Sequence, residues 1–187
     1  MSQLDQALMD FVRLFERLDL RYVIMGGLAV RVHGIPRPTH DVDFTVAIDR
    51  SELAVLFDAV TDLGYSVPPP YERGWVDEVG GMPLIKFRTY LDAEHGIDVD
   101  IFLAESAFQQ SVLSRRQTIQ IDGVTAWLVS PEDLILLKLL AGRARDKADI
   151  GDILFMQGEL DRTYLRRWAK QLGIATELEE TLKRPGD

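Results

Sequence analysis

Between Tyr22 and Ile48 the sequence sets a tight order of backbone requirements. The apolar run Tyr22-Val23-Ile24-Met25 stops at Gly26-Gly27, as a buried strand does on entering a turn. Leu28 to His33 reads as a short helix, and Gly34, Pro36 and Pro38 then force a loop. From Asp41 to Ile48 the pattern alternates, with Val42, Phe44 and Val46 on one face and Asp41, Asp43 and Thr45 on the other. A period of two predicts a half-buried strand whose polar face carries both carboxylates. Strand, double glycine, helix, loop and acidic strand together require a sheet with helices packed on it.

The flanking sequence extends this layout. Leu4, Leu8, Phe11, Val12, Phe15 and Leu18 recur at helical spacing behind Ser2, a natural N-cap. A further helix is expected behind a Ser51 cap, carrying Leu53, Leu56, Phe57, Val60 and Leu63 and ended by Gly64. Pro68-Pro69-Pro70 opens a stretch to Pro83 too rich in glycine and proline for regular structure. Strands follow over 84–91 and 97–103 around a turn at 92–96, then a helix over 105–114. Asp122-Gly123 between two β-rich runs, 118–121 and 124–129, predicts a hairpin. From Ser130-Pro131-Glu132, a cap, first-turn proline and first-turn acid, the chain becomes helical, with helices expected over 146–156, 161–171 and 174–183. The fold class is α+β, a mixed sheet with flanking helices over 1–129 followed by a helical portion over 130–187.

Composition narrows the chemistry. With no cysteine among 187 residues, disulfides, thiolate catalysis and cysteine-bound zinc are excluded. No apolar run approaches the roughly 18 residues of a membrane span, and no secretory leader is read at the start, so a cytoplasmic protein with no membrane partner is expected. A net charge of −9 disfavours a broad surface for a polyanion.

Two glycines between strand and helix let a backbone approach a triphosphate and point amides at it. Asp41 and Asp43 place hard oxygens side by side, where a divalent cation relieves their repulsion; Mg²⁺ is the natural choice, with Mn²⁺ an alternative. A second acidic pair, Asp98 and Asp100, lies on a later strand, and Asp100 is preferred as third carboxylate because Ile101-Phe102-Leu103 follows it directly. Such a residue can complete a metal site or take a proton from an attacking hydroxyl.

These elements resemble the nucleotidyltransferase superfamily of the DNA polymerase β type, whose pattern is Gly-Gly or Gly-Ser after a strand, a short helix, Asp-x-Asp on the next strand and a third Asp later. Arg37 and Thr39 look like the residues preceding the Asp pair in small bacterial members, the antibiotic nucleotidyltransferases and abortive-infection toxins. Pro131-Glu132-Asp133, Lys138, Arg143, Arg145, Asp146 and Asp149 are similar to a lysine-then-arginine-aspartate segment of the toxin branch, where the lysine contacts nucleotide phosphates. The resemblance implies an NTP substrate such as ATP, with Asp41, Asp43 and Asp100 as metal-holding catalytic residues. It implies nucleotide contacts from Gly26, Gly27, Arg37, Thr39 and Lys138. The acceptor stays open between a small molecule, tRNA and protein, with an antitoxin partner conceivable as in toxin–antitoxin systems. The rival is a catalytically silent nucleotide-binding or interaction subunit.

Plainer roles exist for several residues. Lys138 suits a snorkelling side chain, His33 a helix-end cation, Trp75 a lid over the core, and Asp146 and Asp149 an N-cap and first-turn acid. Arg143, Arg145 and Lys147 fit a solvated basic loop, and Glu72, Asp77 and Glu78 an acidic one able to receive a cationic acceptor.

Overall fold

The computed structural model describes residues 2–89 and 96–183; the turn expected at 92–96 falls mostly outside them. A first helix, α1 (Gln3–Arg17), is closed by a reciprocal cap in which Ser2 Oγ accepts from the Asp5 amide and Asp5 from the Ser2 amide. It leads into β1 (Arg21–Met25), α2 (Gly26–His33) and β2 (Asp41–Ala47). Gly26 and Gly27 therefore form the first turn of α2 rather than a separate link before it.

A single turn of 3-10 helix (Arg50–Glu52) precedes α3 (Leu53–Asp62). The cap there comes from Asp49 and Glu52, not from Ser51, because the helical turn begins two residues earlier than a Ser51 cap implies. β3 (Tyr65–Ser66) follows. The Gly- and Pro-rich stretch is also more regular than expected, holding α4 (Pro69–Glu72) and β4 (Asp77–Val79). Proline suits the first helical turn, and Gly80 and Gly81, both at positive φ, turn β4 back onto β5 (Met82–Thr89). β6 (Asp98–Leu103), α5 (Ala107–Ser114), β7 (Gln117–Ile121) and β8 (Val124–Leu128) complete the mixed half. Asp122 and Gly123 take φ of 48° and 80° in the hairpin turn.

One sheet runs in the order β3-β5-β6-β2-β1-β8-β7, with β4 added to β5. β2 and β6 are parallel, as are β1 and β8, and the other neighbours are antiparallel. The face presenting Phe44 is covered by α1: Phe15 meets Phe44 edge-to-face at 5.0 Å, and Phe11 stacks on Phe87 at 5.9 Å. The acidic face of β2 is polar only at its start, since Thr45 is fully buried with Oγ1 donating to Met25 Sδ.

Helices α6 (Pro131–Ala141), α7 (Ala144–Met156), α8 (Arg162–Leu172) and α9 (Ala175–Leu182) follow. His33 joins them to the sheet: it is buried, its Nε2 donates to the Val129 carbonyl at 2.7 Å, and burial lowers its pKa. It serves as a neutral cross-link and not as a helix-end cation. Because Phe44 sits at the centre of the aromatic cluster, Phe44→Ala should cost about 3–5 kcal/mol, measurable as a lower urea midpoint with an unchanged slope.

Candidate active site

The parallel pairing of β2 with β6 decides which carboxylates meet. Asp43 is in register with Asp100 and Asp41 with Asp98, so the two acidic pairs form two rows on one face of the sheet. Strand β5 extends each row with a cation, Lys86 opposite Asp100 and Arg88 opposite Asp98. In the outer row Arg88 and Asp98 are about half exposed and 3.5 Å apart. The inner row is tighter: Lys86 Nζ donates to Asp100 Oδ2 at 2.6 Å, while Asp100 Oδ1 is buried without a hydrogen-bond partner. It is therefore Asp100, and not Asp98, that stands beside Asp43.

The glycines explain themselves at this point. Gly26 has φ +62°, and a Cβ on it would lie 1.8 Å from Asp43 Oδ2. A Cβ on Gly27 would fall 2.3 Å from Thr39 Oγ1. Thr39 Oγ1 in turn donates to Asp41 Oδ1 at 2.6 Å. The double glycine thus clears the space that Asp43 and Thr39 occupy.

Beside this row lies a cavity of about 90 Å³, walled by Met82, Phe102, Leu134 and Leu137 and rimmed by Asp43, Asp100, Lys86, Lys138 and Arg143.

The sequence of residues 2–181 matches the model of a family described as "Nucleotidyltransferase of unknown function (DUF6036)". The chain belongs to this nucleotidyltransferase family. No curated protein sequence matches it. Among solved structures, it is similar to an antigenic nucleotidyltransferase-like protein from Paracoccidioides brasiliensis, with 20% identity, TM-score 0.53, and 96% and 92% of the two chains covered. It is similar also to the lincomycin-bound lincosamide antibiotic adenylyltransferase LnuA, with 18% identity, TM-score 0.54, and 84% of this chain and 99% of that one covered. The antibiotic-resistance factor ANT(2'')-Ia shares 15% identity and a TM-score of 0.59 over 94% and 96% of the chains. At these identities the three structures establish a shared nucleotidyltransferase-like fold.

In this nucleotidyltransferase the basic residues near the carboxylates are heavily engaged. Arg37 makes a two-pronged ion pair with Asp149, at 2.6 and 2.7 Å. Lys138, only 5% exposed, donates to Asp149 at 2.6 Å and to Asp146 at 3.1 Å. It does not snorkel to solvent. Asp149 is consequently no first-turn acid; despite burial, the Arg37 and Lys138 contacts hold its pKa down to about 2. Asp146 closes the start of α7 by accepting from the Arg143 amide, with Arg143 itself in the cap position. Arg145 and Lys147 are exposed on α7. Asp77 accepts from Tyr71 Oη at 2.6 Å and Trp75 Nε1 at 2.8 Å, which takes it out of any free acidic loop. Trp75 is 61% exposed and covers no core.

Lys86 escaped sequence reasoning, although the signal was present: Lys86 and Arg88 alternate on an apolar strand with the same spacing as Asp98 and Asp100.

The electrostatics follow from burial. Desolvation, with Asp41 and Asp100 nearby, pushes the Asp43 pKa up to about 7, against smaller opposing effects of Arg143 and Lys138. Burial also raises Asp100, and the Lys86 contact opposes it. Whether such residues suit a divalent cation is answered by their chemistry: hard oxygens, one buried and unpartnered, and a carboxylate whose charge the protein leaves poorly compensated. Among the described residues, no three His, Cys, Asp or Glu side chains lie together as a group that could hold a metal ion. Thr39 and Lys86 each hold one carboxylate instead.

Two outcomes are expected. A carboxyl whose folded pKa is raised keeps a proton that the unfolded chain has lost, so stability falls as pH rises from about 4 to about 7 and levels above that. Asp43→Asn lacks this dependence. In metal-free buffer the two proteins should be similar near pH 4, and the variant more stable at pH 8, by urea titration. For the ion-pair network, Asp149→Ala leaves Arg37 without its ion pair and buried Lys138 with Asp146 alone, and should cost about 3–5 kcal/mol.

Proposed function

We propose that the chain is a Mg²⁺-dependent nucleotidyltransferase that moves a nucleoside monophosphate from an NTP to an acceptor hydroxyl. The observation that supports this best is the register pairing of Asp43 with Asp100, beside the Gly26-Gly27 turn and its Thr39-held Asp41. Asp41, Asp43 and Asp100 would hold the metal, which when bound supplies positive charge to the triphosphate oxygens. The chain's own residues do the rest. The first turn of α2, at Gly26 and Gly27, would offer its backbone amides to the phosphates. Arg143 lies close enough to Asp43 and Asp41 to draw down the pKa of Asp43, and can meet the charge leaving with pyrophosphate. Arg37, Thr39 and Lys138 frame the phosphate side. Arg37 and Lys138 stand there as ion-paired supports whose phosphate contacts would require exchange from Asp149.

In the transfer, the acceptor oxygen bonds to the α-phosphorus as the bond to the bridging oxygen breaks. Pyrophosphate leaves with that electron pair, and the hydroxyl proton passes to water. The whole-chain similarity to antibiotic adenylyltransferases supports a small hydroxyl-bearing acceptor. An RNA acceptor is the second reading, favoured by the exposed cations Arg145 and Lys147 on α7.

The test incubates the protein with Mg²⁺ and each α-labelled NTP, offering total tRNA and a panel of hydroxylated small molecules. Label should move to a small acceptor, and Asp43→Asn should lower transfer by at least about 10²-fold, the scale of losing a key electrostatic group. Label in tRNA, lost on charge reversal at Arg145 and Lys147, would favour the second reading. Equal labelling by wild type and Asp43→Asn would contradict the assignment of the site.

A further inference from the structure

We propose that Lys86 is a positioning residue that pins one oxygen of Asp100 and so presents the other as a cation ligand. The inference rests on the metal-dependent transfer proposed above and adds a residue that the motif pattern does not contain.

The sheet itself supplies the argument. β5, β6 and β2 lie side by side, and their registers put Lys86, Asp100 and Asp43 in one straight cross-strand row. Directly opposed side chains on neighbouring strands lie close enough to interact. Lys86 Nζ therefore reaches Asp100 Oδ2 at 2.6 Å without leaving the row. The row one step outward has the same layout, yet its Arg88 and Asp98 are looser and half exposed. Solvent screens that outer pair and makes it weak. The inner pair differs on the carboxylate side: Lys86 is 46% exposed, much like Arg88, but Asp100 is only 16% exposed in its side chain.

With Oδ2 committed, the carboxylate cannot rotate freely. Its remaining oxygen, Oδ1, is buried with no hydrogen-bond partner. A buried acceptor without a partner is costly, and proteins keep few of them. An outer hydrogen bond that fixes a ligating carboxylate is the usual way such an oxygen is held ready for a metal, and removing it costs about 10–100-fold in affinity. Lys86 fits that role: its ammonium donates to the far oxygen, so it orients the group without filling the near one.

A simple charge argument gives the opposite sign. Deleting a cation beside an acidic site should strengthen attraction for a divalent ion. The direction of the change therefore decides between the two accounts.

The experiment titrates Mn²⁺ into nucleotide-free protein and follows the free-ion signal by electron paramagnetic resonance. Wild type, Lys86→Met, Lys86→Arg and Asp43→Asn are compared, with circular dichroism confirming that each is folded. Lys86→Met should bind Mn²⁺ about 10–100-fold more weakly. Lys86→Arg should recover most of the loss, since a guanidinium can donate to the same oxygen, whereas a purely structural defect would not be rescued this way. Wild-type binding that Asp43→Asn removes but Lys86→Met leaves equal or strengthens would overturn the positioning role alone. Absence of wild-type binding, or binding indifferent to Asp43→Asn, would overturn the metal-dependent reading and this inference with it.

Discussion

Two carboxylates held side by side by backbone pairing are the constraint on which the rest of this site depends. Parallel hydrogen bonding of β2 to β6 fixes Asp43 against Asp100, and no side-chain motion can separate their strands. Desolvation, with repulsion from Asp41 and Asp100, then pushes Asp43 up to about 7. Everything around the pair can be understood as accommodating it. Gly26 gives up its side chain so that Asp43 has room. Thr39 holds Asp41 by one oxygen, and Lys86 holds Asp100 by one oxygen.

The helical half contributes through a second electrostatic unit. Asp149 on α7 gathers Arg37, from the loop that leads into β2, and Lys138, from α6. Each cation would be expensive to bury alone; together with Asp146 they nearly balance. The loop that delivers Asp41 to the sheet is thereby fastened to both helices.

Much of this was legible in the sequence because it follows from period and punctuation. Alternation along 41–47 predicted β2 and the shared face of Asp41 and Asp43, and Asp122-Gly123 predicted the hairpin it forms. The stretch 68–83 was misjudged because proline at a helix start and glycine at a tight turn build structure as readily as they interrupt it. Asp146 and Asp149 looked like simple helix-start residues because their partner Lys138 is one helix away and Arg37 lies far earlier in the chain. Lys86 went unseen for a similar reason. Its meaning depends on register with a strand that only the folded sheet places beside it. Pairings across the sheet, unlike periodicity within a strand, leave little local trace.

The central claim is that the Asp43–Asp100 row, with Asp41, is a cation site serving a nucleotide. Crystals grown with Mn²⁺ and an NTP analogue that cannot be cleaved at the α-phosphorus test it most directly, through the anomalous signal of the metal. The expected result is a Mn²⁺ peak bonded to carboxylate oxygens of Asp41, Asp43 and Asp100, with the triphosphate against the first turn of α2. Nucleotide bound elsewhere, with no anomalous peak at these carboxylates, would contradict the account.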